Sequence, residues 1–73
     1  MMNVLVVKTN IDSNDLIQAI SPTLDAHPSI ATWNIDINDV DNVLRICTPN
    51  GLTESKVVDL IQAAGYRCAL LPD

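Results

Sequence analysis

The spacing of apolar residues switches repeatedly between period two and period 3.6, and this succession restricts the fold more than any motif in the chain. Residues 3 to 8, "NVLVVK", are a β-branched run without a breaker, which predicts a strand at the centre of a sheet. From Leu16 the spacing changes: Leu16, Ile17, Ile20 and Leu24 fall on one face of a helix. Pro22 lacks the N–H that the helix ladder needs, so a kink or a restart is expected there, with Ser21 as cap, before the helix ends ahead of His27 and Pro28. "SIATWNIDIND", residues 29 to 39, returns to alternation, with Trp33, Ile35 and Ile37 on one side. The polar turn "NDVDN" leads into "VLRICT", residues 43 to 48, and the two alternating runs predict a hairpin.

The second half repeats the grammar. "PNG" at 49 to 51 breaks the chain, after which Val57, Leu60, Ile61 and Ala64 mark a second amphipathic helix. Thr53 is the expected N-cap, Leu52 is placed to staple against Val57, and Gly65 is the expected left-handed terminator. "RCALL", residues 67 to 71, predicts a last short strand running into Pro72. The order is βαββαβ. It implies an α+β, ferredoxin-like sandwich: a four-stranded antiparallel sheet of order 4-1-3-2 with both helices on one face. With 73 residues, a single domain over 1–73 is expected.

Composition narrows the function. The net charge is -5, and Lys8, Arg45, Lys56 and Arg67 are scattered along the chain, so nucleic acid and anionic membrane surfaces are not expected partners. One Trp, one Tyr and no Phe leave no stacking platform for single strands. "MMNVLVVK" has neither a basic leader nor an apolar run long enough for a signal or a span, and a cytoplasmic location is expected. No nucleophile, base and orienting acid can be lined up, so an enzyme is not expected and no cofactor is implied. His27, at the end of the first helix, is read as a cation facing the negative helix terminus. Asp36, Asp39 and Asp41 lack the glycine and distal Glu of a calcium loop and are read as a solvated turn.

Two stretches, "HPSIATWNIDI" and "LTESKVVDLIQAAGYRC", resemble the heavy-metal-associated (HMA) domains of small copper chaperones and metal-pumping ATPases, and the likeness runs over nearly the whole chain. The resemblance implies the same ferredoxin-like fold and places Tyr66 near the metal loop. That family binds a soft ion through M-x-C-x-x-C between the first strand and the first helix, because thiolates match Cu(I) and Zn(II) in softness. Here the window reads "KTNIDSND", residues 8 to 15, with neither thiol nor imidazole. The only cysteines, Cys47 and Cys68, fall on the third and fourth strands, roughly 10 Å apart across the first. Both are expected as reduced, small hydrophobes.

Read by its own chemistry, the window is a helix start. Asp12 is the expected cap, Asp15 reaches back in a capping box, and Ile11 staples against Leu16. The expected role is therefore a small non-catalytic HMA-like module without thiol metal binding, acting in protein interaction or self-association. A bound metal is not expected. The interaction face is expected at Val4, Val6, Val43, Arg45 and Cys47, on the open side of the sheet. The alternative is a metal- or small-ligand-binding or transport protein using non-cysteine ligands at Thr9, Asn10, Asp12, Asn14 and Tyr66.

Overall fold

The computed structural model describes residues 2–70, in the order β1 (Asn3–Thr9), α1 (Asn14–Asp25), β2 (Thr32–Asp36), β3 (Val43–Thr48), α2 (Glu54–Ala63) and β4 (Cys68–Leu70). Leu71, the last residue of the expected 67–71 strand, and Pro72 lie outside the described residues. The sheet order is β2-β3-β1-β4, all antiparallel, which is the expected 4-1-3-2 read from the other edge.

The register sorts the side chains. Val7 pairs with Leu44 and Leu5 with Ile46, which puts these residues on the face that the helices cover. Val7, Leu44 and Ile46 meet Ile20 and Leu24 of α1 and Val57 and Ile61 of α2 in one core, each at most 1% exposed. Burying each of these side chains contributes about 1.5–3 kcal/mol, so an aliphatic core suffices without Phe. The opposite phase, Val4, Val6 and Lys8, faces away from the helices.

Both helix starts are capped by side-chain hydroxyls. Thr53 accepts the Lys56 N–H at 3.3 Å, as expected, and Leu52 and Val57 both pack in the core. In α1 the cap is Ser13, one residue later than the expected Asp12; it accepts the Leu16 N–H at 3.3 Å. Asp, Ser and Thr are all competent caps, so residue type alone did not decide between neighbours. The shift puts Leu16 at the position a capping box would give to Glu or Gln, so no such box forms; Ile11 is fully buried in the core cluster, against which Leu16 packs.

Pro22 lies inside α1, not at a restart, and Ser21 is not a cap. Pro22 has no N–H to give the Gln18 carbonyl, and both Gln18 and Pro22 are exposed, so the missing bond falls on the solvent side of the helix. The Ser21 hydroxyl instead donates to Asp25 Oδ2 at 3.0 Å. α2 ends in a Schellman turn: Gly65 has φ 97°, its N–H donates to the Gln62 carbonyl at 3.0 Å, and the Tyr66 N–H donates to the Ile61 carbonyl at 3.2 Å. The His27 ring closes the turn that follows α1, its Nδ1 accepting the Ser29 N–H at 3.1 Å.

Candidate functional site

The segment joining β1 to α1 begins with two residues whose polar groups are engaged in the fold. The Thr9 hydroxyl donates to the Asn42 carbonyl at 2.8 Å and accepts the Ile11 N–H at 3.1 Å, while the Thr9 N–H donates to the Asp41 carbonyl at 3.1 Å. Asn42 has φ 46°, a left-handed conformation that Asn tolerates better than most residues, and Thr9 holds it from across the sheet. Asn10 ties the other side: its N–H donates to the Arg67 carbonyl at 3.2 Å, and its Oδ1 accepts the Arg67 N–H at 3.0 Å. The segment is thus fastened both to the β2–β3 turn and to the entry of β4.

Ile11, between these bonds and the helix cap, is fully buried. Asp12 and Asn14 flank Ser13 and are exposed. Tyr66 is half-buried against the core and adjoins Arg67, so the Gly65–Tyr66 turn does lie beside Asn10. Of the five residues of the expected ligand set, the structure gathers Thr9, Asn10 and the Tyr66 turn around the β1–β4 ladder and leaves Asp12 and Asn14 facing solvent. Among the described residues no group of three or more His, Cys, Asp or Glu side chains is gathered to hold a metal ion. The acidic turn is internally bonded: Asp36 Oδ1 accepts the Asn38 N–H at 3.0 Å and Asp39 Oδ1 the Asp41 N–H at 2.8 Å.

Cys47 and Cys68 are free thiols on opposite faces of the sheet. Cys47 pairs with Val4 on the open face, and Cys68 pairs with Thr9 on the helix face. Burial pushes the Cys68 thiol up to about 11, partly offset by its hydrogen bond with the Ala69 backbone. It is therefore protonated at neutral pH and a poor metal ligand.

On the open face Val4 is 60% exposed, Val6 and Cys47 are half-buried, and Arg45 is exposed opposite Val6. Val43 is on the expected open face by register but is buried, at 5% exposure, and so offers no contact surface. It sits one step beyond the Val7–Leu44 pair, between Lys8 of β1 and Asp36 of β2. The apolar strip therefore narrows to Val4, Val6 and Cys47.

A groove of about 240 Å³ lies at the β1–β4 edge, lined by Lys8, Thr9, Asn10, Arg67, Cys68 and Ala69. The two cations that meet there are nearly sixty positions apart in the chain, and no local pattern announces the pairing.

No family model matches the chain, and no curated protein matches it. Solved structures do. The HMA domain of the copper chaperone for superoxide dismutase, in its apo form, aligns with a TM-score of 0.77 at 14% identity, over 99% of this chain and 69% of that one. The yeast copper transporter domain Ccc2A aligns with 0.76 at 18% identity, over 96% of each chain. The CsoZ metallochaperone aligns with 0.75 at 14% identity, over 96% of this chain and 100% of that one. At such identities the likeness is one of fold: this chain has the ferredoxin-like fold of the HMA domains.

Proposed function

We propose that residues 1–73 form a single non-catalytic module of the HMA fold that carries no thiol-bound metal and works through the open face of its sheet, by self-association or by docking a protein partner. The observation that carries this reading is the bonding of the β1–α1 segment. In the resemblance this segment is the metal loop; here the Thr9 and Asn10 side chains make structural bonds, Ser13 caps the helix, and Ile11 is in the core. The cysteines sit on opposite faces and offer no substitute pair.

A cation site of oxygen ligands at Thr9, Asn10, Asp12, Asn14 and Tyr66 is the weaker reading. A Thr hydroxyl that already donates and accepts, and an amide oxygen that already accepts a backbone N–H, leave Asp12 as the one carboxylate. Hard cations take six or more oxygens, mostly from carboxylates and carbonyls.

The interaction limb rests on Val4, an exposed valine near the N-terminal end of β1 with Cys47 as its cross-strand neighbour and the Val6–Arg45 pair beside it. The same reading makes the module cytoplasmic, with no enzyme activity of its own. Among the described residues no helix is long and apolar enough to cross a membrane. The test is the rotational correlation time over a concentration series for the native chain and for Val4→Asp. Self-association through this face predicts dimer tumbling that Val4→Asp returns to monomer tumbling without loss of fold. Monomer tumbling of both proteins at millimolar concentration overturns the self-association limb.

A further inference from the structure

The chain has four Lys and Arg residues against nine Asp and Glu, and two of the four lie together. Lys8 pairs with Ala69 and Thr9 with Cys68, and the two-way bonding of Asn10 with Arg67 carries the ladder one step further. Side chains alternate along strands, so Lys8, Ala69, Asn10 and Arg67 share the open face while Thr9 and Cys68 take the other. Lys8 and Arg67 are then diagonal neighbours, about 7–8 Å apart at their Cα atoms, and their long side chains can reach one ligand between them. Both line the groove at this edge, with Ala69 as a small wall and no carboxylate in the lining.

We infer that the groove between Lys8 and Arg67 binds a small oxyanion of the phosphate or carboxylate type. Arg67 supplies a planar fork suited to two oxygens at once, and Lys8 a compact charge beside it. Asn10 adds its amide NH2 as a donor, since its oxygen is taken by the Arg67 N–H. The same bond and its return fix the Arg67 backbone to β1, so the guanidinium is carried on a held base.

The acidic remainder of the chain works against binding, and distance decides how much. On the open face Asp36 lies beyond Val43, two strand spacings or roughly 10 Å from Lys8, whereas Asp41 is nearer, its carbonyl accepting the Thr9 N–H at 3.1 Å, and its carboxylate opposes an anion without lining the groove. Lys8 and Arg67 are the charged side chains that line the groove itself. The two charges that carry the inference, Lys8 and Arg67, have no part in the metal-free reading; Asn10 belongs to both and serves here through its amide NH2.

The probes are inorganic phosphate and acetate, added separately while sodium chloride holds the ionic strength constant, with amide NMR shifts as the readout. The expected result is saturable shifts confined to Lys8, Asn10, Arg67 and Ala69, from either or both anions. Loss of a charge-assisted contact predicts about tenfold weaker binding in Arg67→Ala, with intermediate weakening in Arg67→Lys, where the fork is lost and the charge kept. Arg67 is exposed, so the remaining spectrum reports an intact fold in both variants. Shifts that fail to saturate, that chloride reproduces, or that persist unchanged in Arg67→Ala overturn the inference.

Discussion

Thr9 and Asn42, 33 positions apart in sequence, are joined by a 2.8 Å hydrogen bond from the Thr9 hydroxyl to the Asn42 carbonyl. The same hydroxyl accepts the Ile11 N–H, so one oxygen closes the β2–β3 turn onto β1 and sets the chain on its way to α1. Thr9→Val keeps the shape and strands both partners. The expected loss is about 1–3 kcal/mol of stability in denaturant unfolding, with Thr9→Ser recovering most of it. If Val and Ser behave alike, the hydroxyl has no structural role and the site reading of Thr9 regains ground.

Gly65 and Gly51 separate backbone conformation from space. Nothing lies within 4 Å of a Cβ built at either position, yet only Gly65 is left-handed, at φ 97°. Gly65→Ala is expected to lose about 1 kcal/mol through strain in the Schellman turn, a fall of about 4–8 °C in Tm for a domain of this size. Gly51→Ala is expected to stay within about 0.5 kcal/mol of the native chain. Equal shifts in thermal melts of the two variants would contradict the assignment.

Cys68 makes stability depend on alkaline pH in a definite direction. Its thiol titrates near 11 in the fold against an ordinary 9.0, so the folded state holds the proton more tightly. Below about pH 9 both states are protonated and the contribution is complete. Between about 9 and 11 the unfolded chain loses its proton first and the contribution declines, and above about 11 the loss is complete. Urea midpoints should therefore fall more steeply across this window for the native chain than for Cys68→Ala. Iodoacetamide at pH 8 should label the half-buried Cys47 before Cys68, read by mass spectrometry.

Much of this architecture is legible in the residues, and the exceptions share a cause. The β-branched run of β1, the Thr53 cap and the Gly65 stop are local signals that each admit one physical solution, and they appear where expected. The α1 cap was ambiguous because Asp12 and Ser13 are adjacent and equally suited. Pro22 stays within its helix because its missing bond falls on the wet side, a fact that depends on how α1 packs. Trp33 was expected only as a half-buried strand residue; its Nε1–H also donates to Asp25 Oδ1 at 2.8 Å, which locks the end of α1 to β2. The burial of Val43 and the meeting of Lys8 with Arg67 likewise come from cross-strand neighbours, and these are set by register, which a single strand's sequence does not carry.

The claim that the β1–α1 segment is a structural joint and not a thiol-type metal loop is tested most directly by amide NMR titration of the reduced protein with Cu(I) and Zn(II). The account predicts that the resonances of Thr9 to Asn14 and of Tyr66 stay in place through one equivalent of either ion. Shifts of those resonances that saturate at one equivalent would contradict it and identify the segment as a metal site with unusual ligands.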